Sequence, residues 1–233
     1  MTSAIRVGDL DALGRLLAER PELASVRMIG RKGPEGGWRT PLHAAADWPG
    51  YFPAAPAAVA LLLEAGADPN DDTGGGLPET PLHWAASTDD VDVAVVLIDG
   101  GAELEIPGGS IGTPLDNAIG YSCWHVARLL VARGATVERL WHAAALGMLA
   151  RMEELLGERG DAAGEVSQAF WHACAAGQRR AADHLLAQGA DLGWVPDYAE
   201  GTPLDAAGSL GTRQENVLSW LRERGAPSAR PRD

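Results

Sequence analysis

The stretch TPLHAA at residues 40–45 returns with one substitution as TPLHWA at residues 80–85. Four more divergent copies of this phrase follow, and they are TPLDNA at 113–118, LWHAA at 140–144, FWHAC at 170–174 and TPLDAA at 202–207. Aligned on the threonine position, successive copies begin 40, 33, 26, 30 and 33 residues apart. Repetition at this spacing predicts an array of similar structural units, each packed on its neighbours.

The repeated phrase carries signals for the start of a helix. Thr40 and Thr80 are favourable N-cap residues, and the proline after each suits the first helical turn, where its missing N–H is not needed. An apolar segment follows most copies and ends at a glycine, such as Gly66 or Gly101. A glycine there can adopt the left-handed conformation that ends a helix. Each unit is therefore predicted to be a pair of helices.

From about residue 4 to about residue 226, the chain resembles the ankyrin repeat family. The resemblance implies an all-α fold, an ankyrin-repeat solenoid of about seven helix-turn-helix units with connecting hairpins or loops, in a single domain spanning residues 1–233. It also implies that the histidine of the phrase links adjacent repeats by hydrogen bonds. The predicted units are an N-terminal capping unit with a long loop at 1–39, repeats at 40–79, 80–112, 113–138, 139–168 and 169–201, a C-terminal capping repeat at 202–226 and a tail at 227–233.

Departures from the repeat are candidates for functional elements, because regular positions serve the scaffold. The unit that starts at Thr40 carries an insert at 47–56 with three prolines and three aromatic residues. This insert is either a packed loop that covers the adjacent helix ends or a rigid aromatic element that contacts a ligand. Two later units lack Thr-Pro and have Trp141 and Trp171 where the family has a core leucine, so we expect both indoles to fill the core.

The loops at 28–39 and 71–79 are longer than the usual repeat. The glycine triplet at 74–76 lacks the Lys-Ser/Thr pair of a phosphate-binding loop, and it does not have the strand-to-helix context of one. We therefore do not assign it a phosphate.

The formal net charge of −13, from 19 basic and 32 acidic residues, bears on the class of partner. Binding to nucleic acid or to an anionic membrane requires clustered Lys and Arg, so we expect neither. A basic protein or peptide is a better match for this charge. The longest apolar run, 57–63, is about a third of a membrane span, and no signal peptide is visible.

Two cysteines, Cys123 and Cys174, fall in different repeats, and we interpret them as reduced thiols in a cytoplasmic protein. Lys32 is the single lysine, and this arginine bias with abundant Ala and Gly indicates a GC-rich bacterial genome. We expect a monomer, although a self-associating scaffold is an alternative.

Four of the six histidines occupy the same position in successive copies of the phrase, which could suggest a row of metal ligands. Equivalent residues of packed helix pairs lie roughly 10 Å apart, whereas zinc ligands lie about 2 Å from the metal. We therefore predict no metal and no other cofactor. No motif of a catalytic nucleophile, a metalloprotease or a nucleotide site is present, so the chain is expected to be non-enzymatic.

The resemblance implies a protein-protein interaction module, because ankyrin repeats mostly bind other proteins on a concave face. The residues that it places there, together with a tyrosine of a later loop, are Trp38, Arg39, Asp47, Trp48, Glu79, Trp84, Ser87, Thr88, Tyr121 and Tyr198. Trp84 replaces an alanine of the phrase, and we expect it to enter the groove rather than fill a gap.

Aromatic side chains next to carboxylates predict a specific kind of occupant for this face. Trp38, Trp48, Trp84 and Tyr121 would form an aromatic strip, flanked by the carboxylates of Asp47, Glu79, Asp89 and Asp90. Such a strip suits a cationic or Arg-rich peptide. The alternative is an aromatic-lined pocket for a small molecule, which would make the chain a ligand sensor or an unusual enzyme.

Overall fold

The structure is a computed structural model that describes residues 1–29, 37–74, 78–109, 111–158, 163–209 and 214–229. Parts of the two long loops predicted at 28–39 and 71–79, and the last residues of the predicted tail, lie outside the described residues. The chain forms two compact units, Met1–Ala135 and Thr136–Asp233.

The first unit consists of helices that follow one another in pairs, as the sequence predicts. Its helices are α1 (Thr2–Val7), α2 (Leu10–Glu19), α3 (Pro41–Ala46), α4 (Ala55–Glu64), α5 (Pro81–Thr88), α6 (Val91–Asp99), α7 (Pro114–Gly120) and α8 (Trp124–Ala132). A 3-10 helix, Pro21–Ser25, and a short antiparallel pair of strands lie between α2 and α3. The strands are β1 (Met28–Ile29) and β2 (Trp38–Arg39), with Met28 opposite Arg39.

Packing in the first unit follows two rows. The first helix of each pair contacts the first helix of the next, so that α3 lies against α1 and α5, and α5 lies against α7. The second helices α2, α4, α6 and α8 make the corresponding row. Leu42 and Leu82 of the repeated phrase are fully buried in the core of this unit. Burial of one such side chain stabilises the fold by about 2 kcal/mol.

The second unit contains six helices in the part that the structure describes. They are α9 (Leu140–Leu146), α10 (Leu149–Glu158), α11 (Ala163–Ala175), α12 (Arg179–Ala187), α13 (Pro203–Ala207) and α14 (Glu215–Glu223). Helix α11 contacts both α9 and α13, again first helix on first helix. Trp141 is buried in this unit, as predicted, whereas Trp171 is only half-buried, and its indole N–H donates to the carbonyl of Gly201 at 3.1 Å.

Where it keeps Thr-Pro, the repeated phrase starts its helices in the expected way, whereas the copy at 170–174 lies inside α11. The backbone N–H of Thr40 donates to Nδ1 of His43 at 3.2 Å, and the Thr40 side chain accepts in return from the first turn, a reciprocal capping box. Where Asp116 replaces the histidine, its carboxylate accepts from the N–H of Thr113 at 2.7 Å. Histidine and aspartate at this position therefore accept the same hydrogen bond, from the backbone N–H of the threonine.

The motif histidines also join adjacent repeats, as the resemblance implies. Nε2 of His43 lies 2.8 Å from the carbonyl oxygen of Glu79, and Nε2 of His83 lies 3.1 Å from that of Gly112. Because a carbonyl oxygen only accepts, Nε2 must carry the proton and Nδ1 is left to accept from the threonine. Each ring thus fixes the start of its own helix and the loop before the next one.

The chain contains no helix that is both apolar and long enough to cross a bilayer, as far as the described residues extend.

Candidate functional site

A groove of about 450 Å³ lies in the first unit, and most of the predicted binding residues line it. We call it the aromatic groove. Its lining residues are Ala46, Asp47, Trp48, Glu79, Trp84, Ser87, Thr88 and Tyr121. They come from the ends of α3 and α7, from α5 and from the residue that precedes Thr80. Seven of the ten residues that the resemblance placed on a binding face thus lie together in this groove.

The insert at 47–56 presents Trp48 to this groove. The Trp48 side chain is 73% exposed, while the loop behind it is held firmly at several points. The N–H of Gly50 donates to the carbonyl of Asp47 at 2.8 Å, and the N–H of Tyr51 donates to a carboxylate oxygen of Asp90 at 2.6 Å. The guanidinium of Arg6 lies 5.6 Å from the ring centre of Phe52. The insert is thus a packed loop that leaves Trp48 and Tyr51 exposed, and Trp48 is the one that lines the groove.

Trp84 has two environments. One part of its indole packs edge-on against the ring of His43, with 5.0 Å between ring centres. Its N–H donates to Oε2 of Glu79 at 3.0 Å, and the remainder of the ring lines the aromatic groove. The side chain therefore enters the groove, as expected, and also fills space between two repeats.

The Glu79 carboxylate is held by uncharged donors. Oε2 accepts from the Trp84 indole, and Oε1 accepts from Nδ2 of Asn117 at 3.2 Å. Its own N–H donates to Oγ1 of Thr73 at 3.0 Å, and its carbonyl oxygen is the partner of His43. No basic side chain among the described residues forms an ion pair with Glu79. The groove therefore contains a fixed, half-buried negative charge.

Asp47 is different, because its charge is already balanced. Oδ2 of Asp47 lies 2.8 Å from a guanidinium nitrogen of Arg6 and 3.3 Å from one of Arg39. Oδ1 accepts from the N–H of Trp48 at 2.9 Å, which helps to orient that residue. Arg39 was predicted to face the groove as a binding residue, but its guanidinium is engaged with Asp47.

Ser87 and Thr88 form the floor of the groove at the end of α5. The hydroxyl of Ser87 donates to the carbonyl of His83 at 2.9 Å and accepts from Nδ2 of Asn117 at 3.2 Å. The hydroxyl of Thr88 donates to the carbonyl of Trp84 at 3.1 Å. Tyr121, the C-cap of α7, also lines the groove and is 58% exposed.

Two carboxylates that we expected to flank the groove have structural roles instead. Asp90 is buried, caps α6 by accepting from the N–H of Val93 at 3.2 Å, and also holds Tyr51. Asp89 accepts from the N–H of Val126 at 2.9 Å and from Nδ1 of His125 at 2.6 Å, and so it supports the start of α8. This part of the expectation was wrong, because backbone N–H groups at the starts of two helices bind these carboxylates.

Two further predicted residues lie outside the aromatic groove. Trp38 is half-buried on β2, with the guanidinium of Arg27 4.7 Å from its ring centre and with Gly74 against its ring. Tyr198 belongs to the second unit, where its side chain is 55% exposed. Their part in binding stays a prediction.

The second unit contains an aromatic cluster that sequence analysis did not identify as a whole. The ring of His172 stacks on Trp141 with 4.7 Å between centres and on Tyr198 with 6.1 Å between centres. Nε2 of His172 lies 3.0 Å from the hydroxyl of Tyr198, which also accepts from Nε2 of Gln168 at 3.2 Å. This cluster lies where two copies of the phrase have lost Thr-Pro, and it joins side chains of α9, α11 and the loop that contains Tyr198.

Burial determines the protonation of the inner histidines and cysteines. It lowers the pKa of His43 to about 4 and, with a smaller contribution from His142, lowers the pKa of His172 to about 3. Burial likewise raises the pKa of Cys123 to about 11 and raises that of Cys174. These groups are neutral near pH 7, so neither a thiolate nucleophile nor an imidazolium is formed at these positions.

Asn117 is the residue of this site that sequence analysis missed. It occupies the same position of its repeat as Trp84, a position where Ala44 stands in the first copy of the phrase. Two adjacent repeats thus depart from alanine at one position, and both new side chains donate to Glu79. The loss of alanine at the same position of two adjacent repeats was the sequence signal that could have identified Asn117.

Comparison with known proteins agrees with the helical pairs and their capping. The family model for ankyrin repeats in three copies matches residues 51–139. No curated protein matches the chain. Among solved structures, the ankyrin repeat domain of Bcl-3, described as a unique member of the IkappaB protein family, is 24% identical over 95% of this chain and 96% of that one, with a TM-score of 0.51. The human ASB11 ankyrin repeat domain is 26% identical over 82% of this chain and 86% of that one, with a TM-score of 0.47.

These findings define the class of protein. The chain contains ankyrin repeats and has an all-α ankyrin-repeat fold, so the resemblance seen in the repeated phrase is confirmed. Ankyrin repeats are generally protein-protein interaction modules. The exact number of repeats, their boundaries and the single-domain organisation stay predictions.

Proposed function

We propose that this chain is a non-enzymatic, monomeric interaction module of the cytoplasm and that its aromatic groove binds a segment of a protein partner. The observation that carries the proposal is the convergence of three aromatic side chains, Trp48, Trp84 and Tyr121, on one groove. Tryptophan and tyrosine are enriched among the residues that dominate binding energy at interfaces.

Pre-organisation supports the same function. Trp48 is exposed although the loop that carries it is tied to Asp90 and packed against Arg6. A side chain held in place before binding loses little conformational entropy when a partner arrives.

The open rim of the groove favours an extended segment over an enclosed small molecule. Trp48 and Tyr121 are 73% and 58% exposed, whereas a small-molecule pocket usually buries most of its ligand. A small-molecule ligand is therefore the less favoured alternative.

The experiment is a selection of random linear peptides, displayed on phage, against the full chain. Selected peptides are then measured by fluorescence anisotropy against the wild type, against a Trp48→Ala/Tyr121→Ala double variant and against Val7→Ala. Both groove positions are exposed, so the double variant should fold normally; Val7 is 65% exposed outside the groove and serves as the control.

We expect the double variant to bind at least about tenfold more weakly and the Val7→Ala control to bind like the wild type. The proposal is overturned if no peptide is enriched, or if the enriched peptides bind all three proteins equally. Saturable quenching of tryptophan fluorescence by a low-mass metabolite fraction, with no enriched peptide, would favour the small-molecule alternative.

A further inference from the structure

We propose that the aromatic groove recognises an arginine side chain of its partner, with the guanidinium bound to the Glu79 carboxylate and its face against the groove aromatics. This inference rests on the proposed function and adds the chemistry of the group that is bound. Four features of the groove support it, namely its charge, the acceptors left on Glu79, the aromatic walls and the field of the first unit.

The two carboxylates of the groove differ in how their charge is balanced. Asp47 is paired with Arg6 and Arg39, at 2.8 Å and 3.3 Å. Glu79 has only the uncharged donors of Trp84 and Asn117, within the described part of the chain. A half-buried carboxylate without a cation is costly beside apolar rings, and an incoming cation relieves that cost. Glu79 is therefore the position in the groove at which a positive group is most strongly stabilised.

The remaining acceptor positions on Glu79 match a guanidinium rather than an ammonium. Each carboxylate oxygen can accept two hydrogen bonds, and the structure uses one on each: Oε2 from Trp84 and Oε1 from Asn117. One acceptor position is thus left on each oxygen. Two parallel N–H groups of an arginine can occupy both positions at once, whereas the ammonium of a lysine acts as a point charge without that planar fork.

The walls of the groove provide flat apolar surfaces. Trp48, Trp84 and Tyr121 line the same space as Glu79. A planar, weakly hydrated guanidinium stacks on aromatic faces, which contributes about 0.5–1 kcal/mol at an exposed ring and more where water is excluded. The neutral state of the neighbouring His43 adds no positive charge that would oppose an arginine.

The net charge of the first unit also favours a positively charged partner. Residues 1–135 carry 18 acidic and 9 basic residues, a net charge of −9, whereas residues 136–233 carry 14 acidic and 10 basic residues, a net charge of −4. The greater part of the negative charge thus lies in the unit that contains the groove. Such a field attracts a basic segment and raises its rate of association at low salt.

The first arm of the test uses the peptides selected above. We expect those whose binding depends on Trp48 and Tyr121 to contain an arginine at one aligned position. Groove-dependent peptides without a common arginine would leave the proposed function intact and overturn this inference. An absence of any groove-dependent peptide would overturn both.

The second arm changes only the charged group of the best peptide. Replacement of the arginine by lysine should weaken binding about tenfold, and replacement by citrulline, which has the same shape without the charge, should weaken it further. Equal affinities for the arginine, lysine and citrulline peptides would overturn the inference. Because the protein is unchanged in this arm, its folding cannot affect the result.

The third arm changes the acceptor. Glu79→Gln should weaken the arginine peptide at least about tenfold but should reduce the difference between the arginine and citrulline peptides. Glu64→Gln removes the same charge from an exposed position outside the groove and should change affinity less than about twofold. Circular dichroism melting curves check the fold of both variants. Equal effects of the two substitutions would show that only the overall charge matters, contrary to the inference.

Discussion

The indole N–H of Trp84 donates a hydrogen bond of 3.0 Å to the carboxylate of Glu79, across the boundary between a loop and the helix that follows it. Trp84 replaces an alanine of the repeated phrase, and Asn117, which stands at the same position of the next repeat, donates to the same carboxylate. Side chains from three successive predicted repeats thus form one hydrogen-bonded group. The groove is specified by this group together with the insert that carries Trp48.

Replacing Trp84 by phenylalanine tests the hydrogen bond to Glu79 apart from the packing of the ring. Trp84→Phe keeps most of the contact with His43 but removes the N–H donor, so we expect the free energy of unfolding to fall by about 1–2 kcal/mol. Urea denaturation followed by circular dichroism measures this change.

Trp124→Phe is the matched control for that measurement. The buried indole N–H of Trp124 has no acceptor among the described residues, so its removal should cost no hydrogen bond. We expect this variant to be as stable as the wild type or more stable. Equal losses in the two variants would mean that ring volume, rather than the bond to Glu79, determines the effect.

Acid should destabilise the fold before its carboxylates titrate. Burial lowers the folded-state pKa of His43 to about 4 from its usual 6.5, so between these values the unfolded chain binds a proton that the folded chain does not. Stability is therefore complete above about pH 6.5 and is lost as the pH falls towards 4. The loss from His43 alone is about 2 kcal/mol at pH 5.

Urea denaturation at pH 7 and pH 5 measures this loss. His43→Gln removes the titrating group, so the variant should be less stable at pH 7 but should lose less stability on acidification. A wild-type free energy of unfolding that stays constant between pH 7 and pH 5 contradicts the assignment of His43 as a buried neutral ring.

Asp89 links two repeats through a single side chain. It ends α5 in the left-handed conformation, with a φ of 56°, and its carboxylate accepts from the N–H of Val126 at the start of α8. Asp89→Ala should lower the free energy of unfolding by about 1–2 kcal/mol, because it loses the cap and disfavours this backbone conformation. Asp89→Asn keeps an acceptor and tolerates the conformation, so thermal unfolding should show a much smaller change.

The fold could be predicted from the sequence because its determinants are local. Thr-Pro at four of the helix starts, and glycine after most second helices, act within one repeat, and Gly66 and Gly101 have positive φ values of 92° and 97° as expected. The groove was largely predictable for a related reason. Fixed offsets from Thr40 and Thr80 place side chains on the same face of successive helices.

The wrong and missed predictions came from side-chain hydrogen bonds, which the position of a residue within its repeat does not determine. Asp90 has the right offset to border the groove, but its carboxylate is bound by backbone N–H groups of α6 and the insert. Asn117 was missed because its importance depends on a rotamer that reaches Glu79 in the preceding loop. Trp171 stands at a core position of its repeat, yet its indole N–H donates to the carbonyl of Gly201 and the ring remains half-exposed.

Two glycines should respond in opposite directions to substitution by alanine. A Cβ atom at Gly108 would lie 2.3 Å from the carbonyl oxygen of Pro78 and 2.9 Å from Nε2 of His83. Gly108→Ala should therefore lower the free energy of unfolding by about 2 kcal/mol. Gly14 lies inside α2 with no atom within 4 Å of the corresponding position, so Gly14→Ala should raise it by about 0.5–1 kcal/mol. A similar change in both variants would contradict the close approach at Gly108.

The C-terminal segment returns to the start of α13 and supports the last copy of the phrase. The hydroxyl of Ser228 donates to Oδ1 of Asp205, the N–H of Ala229 donates to Oδ2 at 2.8 Å, and the hydroxyl of Thr202 donates to the carbonyl of Pro227 at 2.7 Å. Burial raises the pKa of Asp205, but the hydrogen bonds from the Ser228 hydroxyl and from the N–H groups of Thr202 and Ala229 outweigh it and hold the pKa below its ordinary value.

Ser228→Ala removes one of these donors, and two measurements report the result. The pKa of Asp205, followed by NMR through its carboxyl carbon, should rise towards its ordinary value, and the free energy of unfolding at pH 7 should fall by about 1–2 kcal/mol. Ser3→Ala, at an exposed position of α1, is the control and should change neither quantity. Because a depressed carboxyl pKa stabilises the fold above that pKa, the difference between the Ser228→Ala variant and the wild type should shrink as the pH falls below about 3.8. A difference that persists unchanged in acid would show that Ser228 acts through packing and not through the Asp205 carboxylate.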